Sequence, residues 1–448
     1  MNPLATIGNA ARWLVRKGLH LYYPRIEIEG RERIPPTGTV LFVANHPNSL
    51  MDPAVIGFTA QRPVHFFAKA PLFDVPVFGA LMRALGMVPA YRGQDDKASV
   101  RKNLETLELG AKYLARGEAV GIFPEGKTHD REGVEQVRTG AARIAASSVQ
   151  GGAALTSVPL GLNYERKERL RSSVWVRVGE PIDAATIFRE HGGEERKAMG
   201  QLTEEIDTRL KQAVVHLDDE HWQPFLDELE VLLPASAEEA RDPIAALRQR
   251  KRLADAINYF FRTDRPRANV VSAAMEAHRA QVAAAGLTVA SPVLRLGMAR
   301  LTGRLVWDTL RLLLGLGPAM AGSLHHLVPF AITRGIVQLV KHPGRATLAL
   351  NRLTIGLPLY ACWYAFVWWW LAKYTSLWIA WLWTALMPLA GVAALHFAWR
   401  VRVAGRAWWQ ELKMIFQPAE LRRLRHSQLH VRRALEQLRD EYRAGRPG

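Results

Sequence analysis

A long stretch without charge near the carboxyl terminus sets the strongest limit on how this chain can fold. Residues 353–372 are 20 residues without Lys, Arg, Asp or Glu, and residues 374–399 are another 26. About 20 apolar residues suffice to cross the hydrocarbon core of a bilayer, and the short link between the segments makes them a hairpin. A hairpin buried in a soluble core is the alternative, but soluble helices of this length rarely lack charge on every face. We therefore predict a transmembrane hairpin over residues 341–405.

Basic residues flank the outer ends of this hairpin. They are Lys341, Arg345 and Arg352 before it and Arg400, Arg402 and Arg406 after it. The connecting link offers only Lys373, so the positive-inside rule predicts that both outer ends face the cytoplasm. Eight of the 14 Trp lie between Trp363 and Trp399, a density that suits the membrane interfaces. The expected location is thus the membrane, as a multi-pass protein whose main domain lies on the cytoplasmic side.

Residues 306–340 form another apolar region, which is uncharged from 312 to 333 but interrupted by Gly and Pro and carries His325 and His326. A third span there would place the preceding domain on the opposite side of the membrane from the outer ends of the hairpin. A re-entrant or surface-lying segment avoids this conflict and is the interpretation that we favour, with the third span as the alternative. The His pair has no third ligand nearby, so we expect it at a polar interface and not on a metal.

The chain is strongly basic, with 59 Lys and Arg against 42 Asp and Glu. Such a balance suits nucleic acid, an anionic membrane surface or a phosphorylated substrate. No nucleic-acid-binding motif is recognisable, so membrane lipids and phosphorylated substrates are the expected partners and nucleic acid is not. The single cysteine, Cys362, excludes disulfides within the chain and fits a reducing compartment.

Short segments rich in β-branched and aromatic residues alternate with helical patterns over residues 36–190. The strand-like segments are TVLFVA, VHFFAK, GMVPAY, AVGIFP, TSVPLGLNY and SVWVRVG. This alternation predicts an α/β domain with a central sheet flanked by helices. Residues 191–305 are charged and helix-periodic, which predicts a helical insertion. We predict an amphipathic, interfacial helix region over residues 1–35, with an ordinary packed helix as the equal alternative, and a basic helical tail over residues 406–448.

Polar residues follow the first predicted strand, in the segment VANHPNSLMDP. A His that removes a proton from a substrate hydroxyl needs an acceptor on its other ring nitrogen, because that acceptor fixes the tautomer and stabilises the imidazolium. His46 and Asp52 can be such a pair. Six positions along a regular helix rotate two side chains by roughly 600°, so they meet only if a turn intervenes, and Pro47-Asn48-Ser49 is typical of a turn. In the alternative, Asp52 caps a helix that begins at Pro53, and His46 merely ends a strand.

Two further strand ends carry groups suited to an anion. The strand AVGI runs into the segment PEGK, in which Gly126 allows close backbone approach and Lys127 supplies positive charge for a phosphate. Arg138 lies downstream in a predicted helix, and Arg92 follows the strand-like segment GMVPAY. Taken singly, each of these features is more typical of an ordinary turn or of a surface residue than of an anion site.

Together these segments resemble the four ordered motifs of the glycerolipid acyltransferase family, which includes bacterial lysophosphatidate acyltransferases. The corresponding segments are His46–Asp52, Gly86–Arg92, Phe123–Gly126 and Val158–Pro159. The apolar hairpin and the segment FPEGKTHD add a likeness to the membrane-bound branch that resembles fungal glycerol-3-phosphate acyltransferases. The first motif departs from the family pattern, because five residues and not four separate His46 from Asp52. Asn48 or Ser49 can therefore share the orienting role.

The resemblance implies acyl transfer from acyl-CoA or an acyl carrier protein to the hydroxyl of glycerol-3-phosphate in phospholipid synthesis. It implies catalysis by His46 with Asp52, and substrate binding by a second set of residues. That set is Asn48, Arg92, Phe123, Glu125, Gly126 and Lys127. The resemblance calls for no metal or redox cofactor. A 1-acyl-glycerol-3-phosphate acceptor and a non-catalytic, membrane-bound lipid-binding protein stay open as alternatives.

Overall fold

A computed structural model describes residues 3–49, 51–74, 78–90, 97–169, 171–233, 242–339 and 345–444. Arg92, a predicted substrate-binding residue, lies outside these ranges. The chain divides into two compact units. The first unit comprises Met1–Glu230 and Pro234–Ala268, and the second comprises Val231–Leu233 and Asn269–Gly448.

The first unit is built on one mixed sheet of eight strands. The strands are β1 Arg25–Glu29, β2 Thr39–Ala44, β3 Val64–Lys69, β4 Val88–Ala90, β5 Ala119–Ile122, β6 Leu155–Tyr164, β7 Ser173–Val178 and β8 Ile182–Asp183. Their order is β1-β7-β6-β2-β5-β3-β4, with β8 paired to β6. Strands β6, β2, β5, β3 and β4 are parallel to one another, whereas β7 and β8 run antiparallel to β6. This sheet confirms the predicted α/β fold class.

Burial explains which strands the sequence pattern identified. The predicted segments TVLFVA and VHFFAK match β2 and β3 residue for residue. β2 is buried from Val40 to Ala44 on both faces, as expected of an inner parallel strand with a continuous apolar run. β1 has the sequence RIEIE and is an outermost strand of the sheet. It begins before residue 36, the predicted start of the domain. Because charged residues alternate with its two isoleucines, β1 lacks the continuous apolar run that marks the inner strands.

Helices cover both faces of the sheet. The helices of the first unit are α1 Pro3–Tyr22, α2 Met51–Ala60, α3 Phe78–Ala84, α4 Lys97–Ala115, α5 Gly140–Gln150, α6 Ala184–Glu190, α7 Glu195–Ala213, α8 Gln223–Leu232, whose last two residues belong to the second unit, and α9 Pro243–Thr263. Alternate residues of β2 point to opposite faces, as the strand period of two requires. Phe42 packs in a core with α1 and α2, and Leu41 packs in a second core with α4, α5 and α7. The result is a three-layer α/β/α arrangement.

The parallel strands bring several chain segments to one edge of the sheet. The carboxyl ends of β2, β5 and β6 lie side by side because these three strands are adjacent and parallel. We call this side the carboxyl edge and the opposite side the amino edge. Open α/β sheets bind their ligands outside the carboxyl ends of the strands. His46, Phe123 and Tyr164 each stand at or just beyond the end of one of these strands.

The second unit is helical. Its helices are α10 Arg265–Ala284, whose first residues belong to the first unit, and then α11 Met298–Leu339, α12 Arg345–Tyr374, α13 Leu377–Ile415 and α14 Pro418–Ala444. Helices α11 and α13 pack antiparallel, because Arg304 lies 3.6 Å from Glu411 while Gly322, further along α11, lies against the carbonyl of Ala390. A Cβ at Gly322 would stand 2.0 Å from that carbonyl oxygen, so only glycine permits this approach.

One segment of the described chain, Leu377–Val401 in α13, is long and apolar enough to cross a membrane by length and composition. Most of the predicted hairpin over residues 341–405 lies in helices α12 and α13, and residues 341–344 lie outside the described residues. The Gly and Pro residues between 312 and 333 lie inside the continuous helix α11, with Pro318 and Pro329 in its interior. The predicted domain boundaries, including the re-entrant or surface-lying segment over 306–340, stay predictions.

Candidate active site

Asn45 carries the chain from β2 to the carboxyl edge. Its buried side chain donates from Nδ2 to the Leu162 carbonyl at 3.1 Å and accepts the Leu162 N–H at Oδ1 at 2.8 Å. This amide therefore replaces one pair of backbone hydrogen bonds between β2 and β6. The next residue, His46, is held just beyond the end of the sheet.

The structure brings His46 and Asp52 together across a turn. His46 Nδ1 lies 2.9 Å from Asp52 Oδ2, and Asp52 is in the first turn of α2. Ser49, between them, has φ of 42°, in the left-handed region that lets the chain reverse sharply. The longer spacing of the first motif is thus absorbed by one left-handed turn residue.

Asp52 is fully buried and is surrounded by donors. It accepts the Asn48 backbone N–H at 2.7 Å and the Tyr164 hydroxyl at 2.6 Å, in addition to the His46 ring. A buried carboxylate needs such partners because desolvation penalises its charge. Burial and the Asp52 carboxylate raise the pKa of Tyr164 well above the ordinary value, so Tyr164 stays a hydroxyl donor.

His46 itself has one engaged nitrogen and one available nitrogen. Because Nδ1–H donates to Asp52, the lone pair of the neutral ring is on Nε2, which makes no hydrogen bond to any described residue. The ring stacks on Phe123, with centroids 3.9 Å apart and planes 11° from parallel, and its side chain keeps 17% exposure. The imidazole is therefore fixed in orientation and still open to an incoming group.

Glu125 accepts backbone hydrogen bonds from two segments of the site, one at His46 and one at Glu135. This buried carboxylate accepts the His46 backbone N–H at Oε2 and the Glu135 backbone N–H at Oε1, each at 3.0 Å. His129 Nε2 also lies 3.0 Å from Oε2. Burial lowers the pKa of His129, but the Glu125 carboxylate outweighs burial, so the net pKa is raised. Both Glu125 oxygens are occupied, which gives this residue an organising position.

The cationic groups near Glu125 differ in how they are paired. Gly126 has φ of 73°, a left-handed conformation that suits glycine, and the Arg138 side chain lies alongside it. Lys127 Nζ lies 2.5 Å from Glu135 Oε2, and burial of Glu135 is outweighed by Lys127, so the pKa of Glu135 is lowered. Arg138 is exposed and forms no ion pair with any described residue. Of these two cations, Arg138 is the one that has no ion-pair partner among the described residues.

Three residues of the site had no local sequence signal. Asn48 Nδ2 donates to the Tyr23 hydroxyl at 2.7 Å, and that hydroxyl donates to the Lys167 carbonyl at 2.6 Å. Lys167 Nζ donates to the Pro47 carbonyl at 2.9 Å. Tyr23, Tyr164 and Lys167 are far from His46 in sequence. The end of β6 at the carboxyl edge is the signal that could have identified Tyr164.

The arrangement can take a proton from a hydroxyl and hold an anion nearby. An imidazole oriented by a buried carboxylate is a general base, and a glycine turn flanked by cations is a surface for a phosphate. Among the described residues there is no group of three or more His, Cys, Asp or Glu that could hold a metal ion. The fold and this site together define an α/β protein with a His–Asp pair at the carboxyl edge of its sheet.

A family model matches the part of the chain that carries most of this sheet and the His–Asp pair. Residues 25–162 match the model of the family described as Acyltransferase, a range that runs from β1 into β6. The relatives include proteins named glycerol-3-phosphate O-acyltransferase and proteins named 1-acyl-sn-glycerol-3-phosphate acyltransferase. Residues 25–162 thus match an acyltransferase domain model, and the chain is similar to glycerolipid acyltransferases, the family that its motifs resemble.

Individual relatives align with parts of the chain. The chain is 30% identical over 298 residues to glycerol-3-phosphate O-acyltransferase 1 of Saccharomyces cerevisiae, covering 47% of this chain and 39% of the yeast protein. It is 29% identical over 143 residues to the chloroplastic 1-acyl-sn-glycerol-3-phosphate acyltransferase LPAT1 of Arabidopsis thaliana, covering 31% and 37%. The chain thus spans less than half the length of these relatives. The crystal structure of PlsC from Thermotoga maritima aligns with a TM-score of 0.35 at 20% identity, over 46% of this chain and 78% of PlsC.

Proposed function

We propose that this protein transfers a fatty acyl group from an acyl thioester to the hydroxyl of glycerol-3-phosphate. The observation that carries the proposal is the state of His46, whose Nδ1 contacts buried Asp52 while Nε2, at the carboxyl edge, makes no hydrogen bond to a described residue. A substrate that brings its own hydroxyl needs no protein nucleophile. The proposed donor is acyl-CoA or an acyl carrier protein, whose thioester is attacked directly.

In the proposed reaction His46 acts twice. Nε2 takes the hydroxyl proton as the oxygen attacks the thioester carbonyl, and the resulting imidazolium is stabilised by Asp52. The carbon–sulfur bond then breaks, and the imidazolium returns its proton to the leaving thiolate. The new ester and a free thiol are the products. Phe123 holds the ring plane throughout, since its stacking fixes the direction of Nε2.

The acceptor phosphate is proposed to bind beside Gly126. Arg138 supplies a cation that is not held in an ion pair by any described residue, whereas Lys127 must leave Glu135 to bind phosphate. Arg92 is proposed as a further ligand on the basis of the family motif alone. Asn48 is proposed to shape the site indirectly, because its amide already donates to Tyr23 and its backbone N–H to Asp52. Binding the phosphate would hold the hydroxyl near Nε2.

The acceptor is proposed from the extent of the yeast alignment. That alignment covers 47% of this chain, a larger share than residues 25–162 that match the family model, and the yeast relative is named for glycerol-3-phosphate. Several relatives that align over shorter ranges are named for 1-acyl-sn-glycerol-3-phosphate, which makes this lysolipid the second candidate acceptor. Both acceptors place a hydroxyl near a phosphate, so the same site chemistry serves either.

Membrane location supports the choice of a lipid-forming reaction. We infer that α12 and α13 form a transmembrane hairpin whose outer ends, flanked by basic residues, are cytoplasmic. We infer further that α11 does not cross the membrane, which places the first unit on the same cytoplasmic side. An acyl product formed at the bilayer surface would not need to cross water.

The test is an assay of purified membranes with a labelled acyl donor, offered each acceptor in turn, with His46→Ala as the blank. We expect label in 1-acyl-glycerol-3-phosphate from glycerol-3-phosphate, and no label above background with the variant. Label only in the diacyl product from the lysolipid would move the assignment to the second acceptor. Activity of His46→Ala equal to wild type would refute the proposal.

A further inference from the structure

The segment that follows Glu125 is contacted by residues that come after the family-matched range 25–162. We call residues 126–139 the Glu125 loop. The backbone N–H of Glu135 in this loop donates to Glu125 Oε1, and Glu125 Oε2 accepts the His46 backbone N–H, each at 3.0 Å. The position of the Glu125 loop therefore bears directly on the position of His46.

Glu132 is the point at which the Glu125 loop meets helices α8 and α9. Gln223, at the start of α8, donates from Nε2 to Glu132 Oε2 at 3.0 Å. Arg250, on α9, donates from Nε to Oε1 at 2.8 Å and from Nη2 to Oε2 at 2.6 Å. This two-pronged contact fixes the orientation of the carboxylate as well as its position. Both helical residues lie in the first unit and follow residue 162.

Arg250 also ties the two helices to each other. Its Nη1 donates to Glu230 and its Nη2 to Asp227, both on α8 and both at 2.6 Å. The Arg250 side chain is only 15% exposed, so this guanidinium is shared by three carboxylates in a partly desolvated place. Exposed single ion pairs contribute little, but a shielded network with forked geometry restrains its members strongly. Without the cation, Glu132 would face two like charges across the same space.

A second contact from the same region reinforces this arrangement. The backbone N–H of Val134, in the Glu125 loop, donates to His216 Nδ1 at 3.3 Å. His216 follows α7 and also lies beyond residue 162. The Glu125 loop is thus held at Glu132 and at Val134 by residues that the family match does not include.

We propose that Arg250 is a positioning residue for acyl transfer, acting through Glu132 and Glu125 on the backbone of His46. The inference rests on the proposed role of His46 as the base. In this proposal α8 and α9 contribute to catalysis by fixing the position of the Glu125 loop. Arg250 itself touches no substrate in this scheme.

The experiment compares three variants of the full chain in membranes. Arg250→Gln removes the guanidinium, and Glu132→Gln removes the charge that it holds while leaving Arg250 its partners on α8. Arg248→Gln is the matched control, because Arg248 lies on the same helix but pairs with Glu27 and Glu29 of β1. We expect the first two to lower kcat by about 10- to 100-fold, the range typical of a misplaced catalytic group, with KM for donor and acceptor within about twofold. Arg248→Gln should stay within about twofold of wild type.

Two further measurements separate positioning from a general loss of folding. Hydrogen exchange of peptides within residues 126–139 should accelerate in Arg250→Gln and not in Arg248→Gln. The double variant Arg250→Gln/Glu132→Gln should be no less active than the worse single variant, since both remove one link. Arg250→Lys should restore only part of the activity, because an ammonium cannot make the forked contact.

Each outcome decides one question. Wild-type membranes with no acyl transfer refute the proposed function, and the hydrogen exchange still tests the link to the loop. If the wild-type protein is active and Arg250→Gln and Glu132→Gln are equally active, this inference is wrong, while the proposed function stands. Equal losses in Arg248→Gln and Arg250→Gln also overturn it, because the effect would then come from α9 as a whole.

Discussion

The sheet of the first unit carries a histidine–carboxylate pair at each of its two edges, and the pairs differ in what the second ring nitrogen does. At the carboxyl edge, His46 Nδ1 contacts Asp52 and Nε2 makes no hydrogen bond to a described residue. At the amino edge, His65 Nε2 contacts Glu118 and Nδ1 contacts the Gly86 carbonyl, each at 2.7 Å. His65 therefore has no nitrogen left to accept a proton from a substrate. A histidine beside a carboxylate becomes a candidate base only when its other nitrogen is unoccupied.

The two carboxylates differ as well. Asp52 is fully buried and is fixed by Asn48 and Tyr164, so it can hold an imidazole in one orientation. Glu118 keeps 37% of its side chain exposed. Its bond to His65 connects β3 to the residue before β5, which is a structural task. The comparison therefore supports the proposed chemistry at the carboxyl edge and a structural role for the pair at the amino edge.

The strongest test applies the same substitution at both edges. His46→Gln should lower kcat by at least about 10²-fold, since a positioned base contributes about 10²- to 10⁴-fold. His65→Gln should leave kcat within about twofold and lower the stability of the protein by about 1–3 kcal/mol, the penalty for unmade buried hydrogen bonds. Steady-state acyl transfer and thermal unfolding of both variants measure these effects. Comparable losses of activity in the two would remove the distinction between the edges.

The support of Asp52 should have the next largest effect. Tyr164→Phe removes a donor to the buried carboxylate but keeps the ring, so Asp52 holds His46 less firmly. A hydrogen bond to a charged group is worth about 1.5–3 kcal/mol, which predicts a fall in kcat of about tenfold or more. The measurement is kcat at saturating donor and acceptor. Tyr113→Phe is the control at the amino edge, because Tyr113 stacks on His65 and should leave kcat unchanged.

The part of the site that lies close together in sequence could be predicted from the sequence. His46 and Asp52 share one turn, and Phe123, Glu125 and Gly126 follow one strand end. Turn chemistry and strand periodicity are local properties, so they show in a single chain. The orienting contact between His46 and Asp52 depended on one turn residue, Ser49, whose left-handed backbone only coordinates reveal.

The remaining part of the site depends on strand order, which no local pattern specifies. Tyr164 reaches Asp52 because β6 is the neighbour of β2, although 112 positions separate the two residues. Arg250 reaches Glu132 across 118 positions for the same kind of reason. β1 was not predicted because an edge strand of alternating charge lacks the apolar run that marks inner strands. Long-range pairing between polar groups therefore had to come from the structure.

Substitution of Arg138 and Lys127, the two cations near Gly126, tests the proposed binding of an anionic substrate at the carboxyl edge. Arg138→Ala should raise the KM of the acceptor by about tenfold, the effect of losing a charge-assisted hydrogen bond, with kcat little changed. Lys127→Ala should act in the same direction but less, because phosphate competes with Glu135 for this lysine. Arg116→Ala, beside Glu118 at the amino edge, is the control. A change confined to the KM of the thioester would reassign Arg138 and Lys127 to the donor.

A third histidine extends the comparison to a ring without a close carboxylate. His216 accepts the Val134 N–H at Nδ1, and its Nε2 is 4.0 Å from Asp218. Burial, followed by the charge of Lys211, lowers the pKa of His216 to about 4, and Asp218 only partly opposes this. The folded state therefore keeps His216 neutral while the unfolded chain protonates it near its ordinary value of 6.5.

The sign of the effect on stability follows from this difference. The contribution of His216 is fully present above about pH 6.5 and is lost as the pH falls toward 4, because protons then bind the unfolded chain preferentially. A shift of this size corresponds to about 3 kcal/mol at most. His216→Asn keeps an acceptor for Val134 but cannot titrate, so its thermal midpoint should fall less than that of wild type between pH 7 and pH 4.5. Parallel pH profiles for the two proteins would show that folding does not lower the pKa of His216.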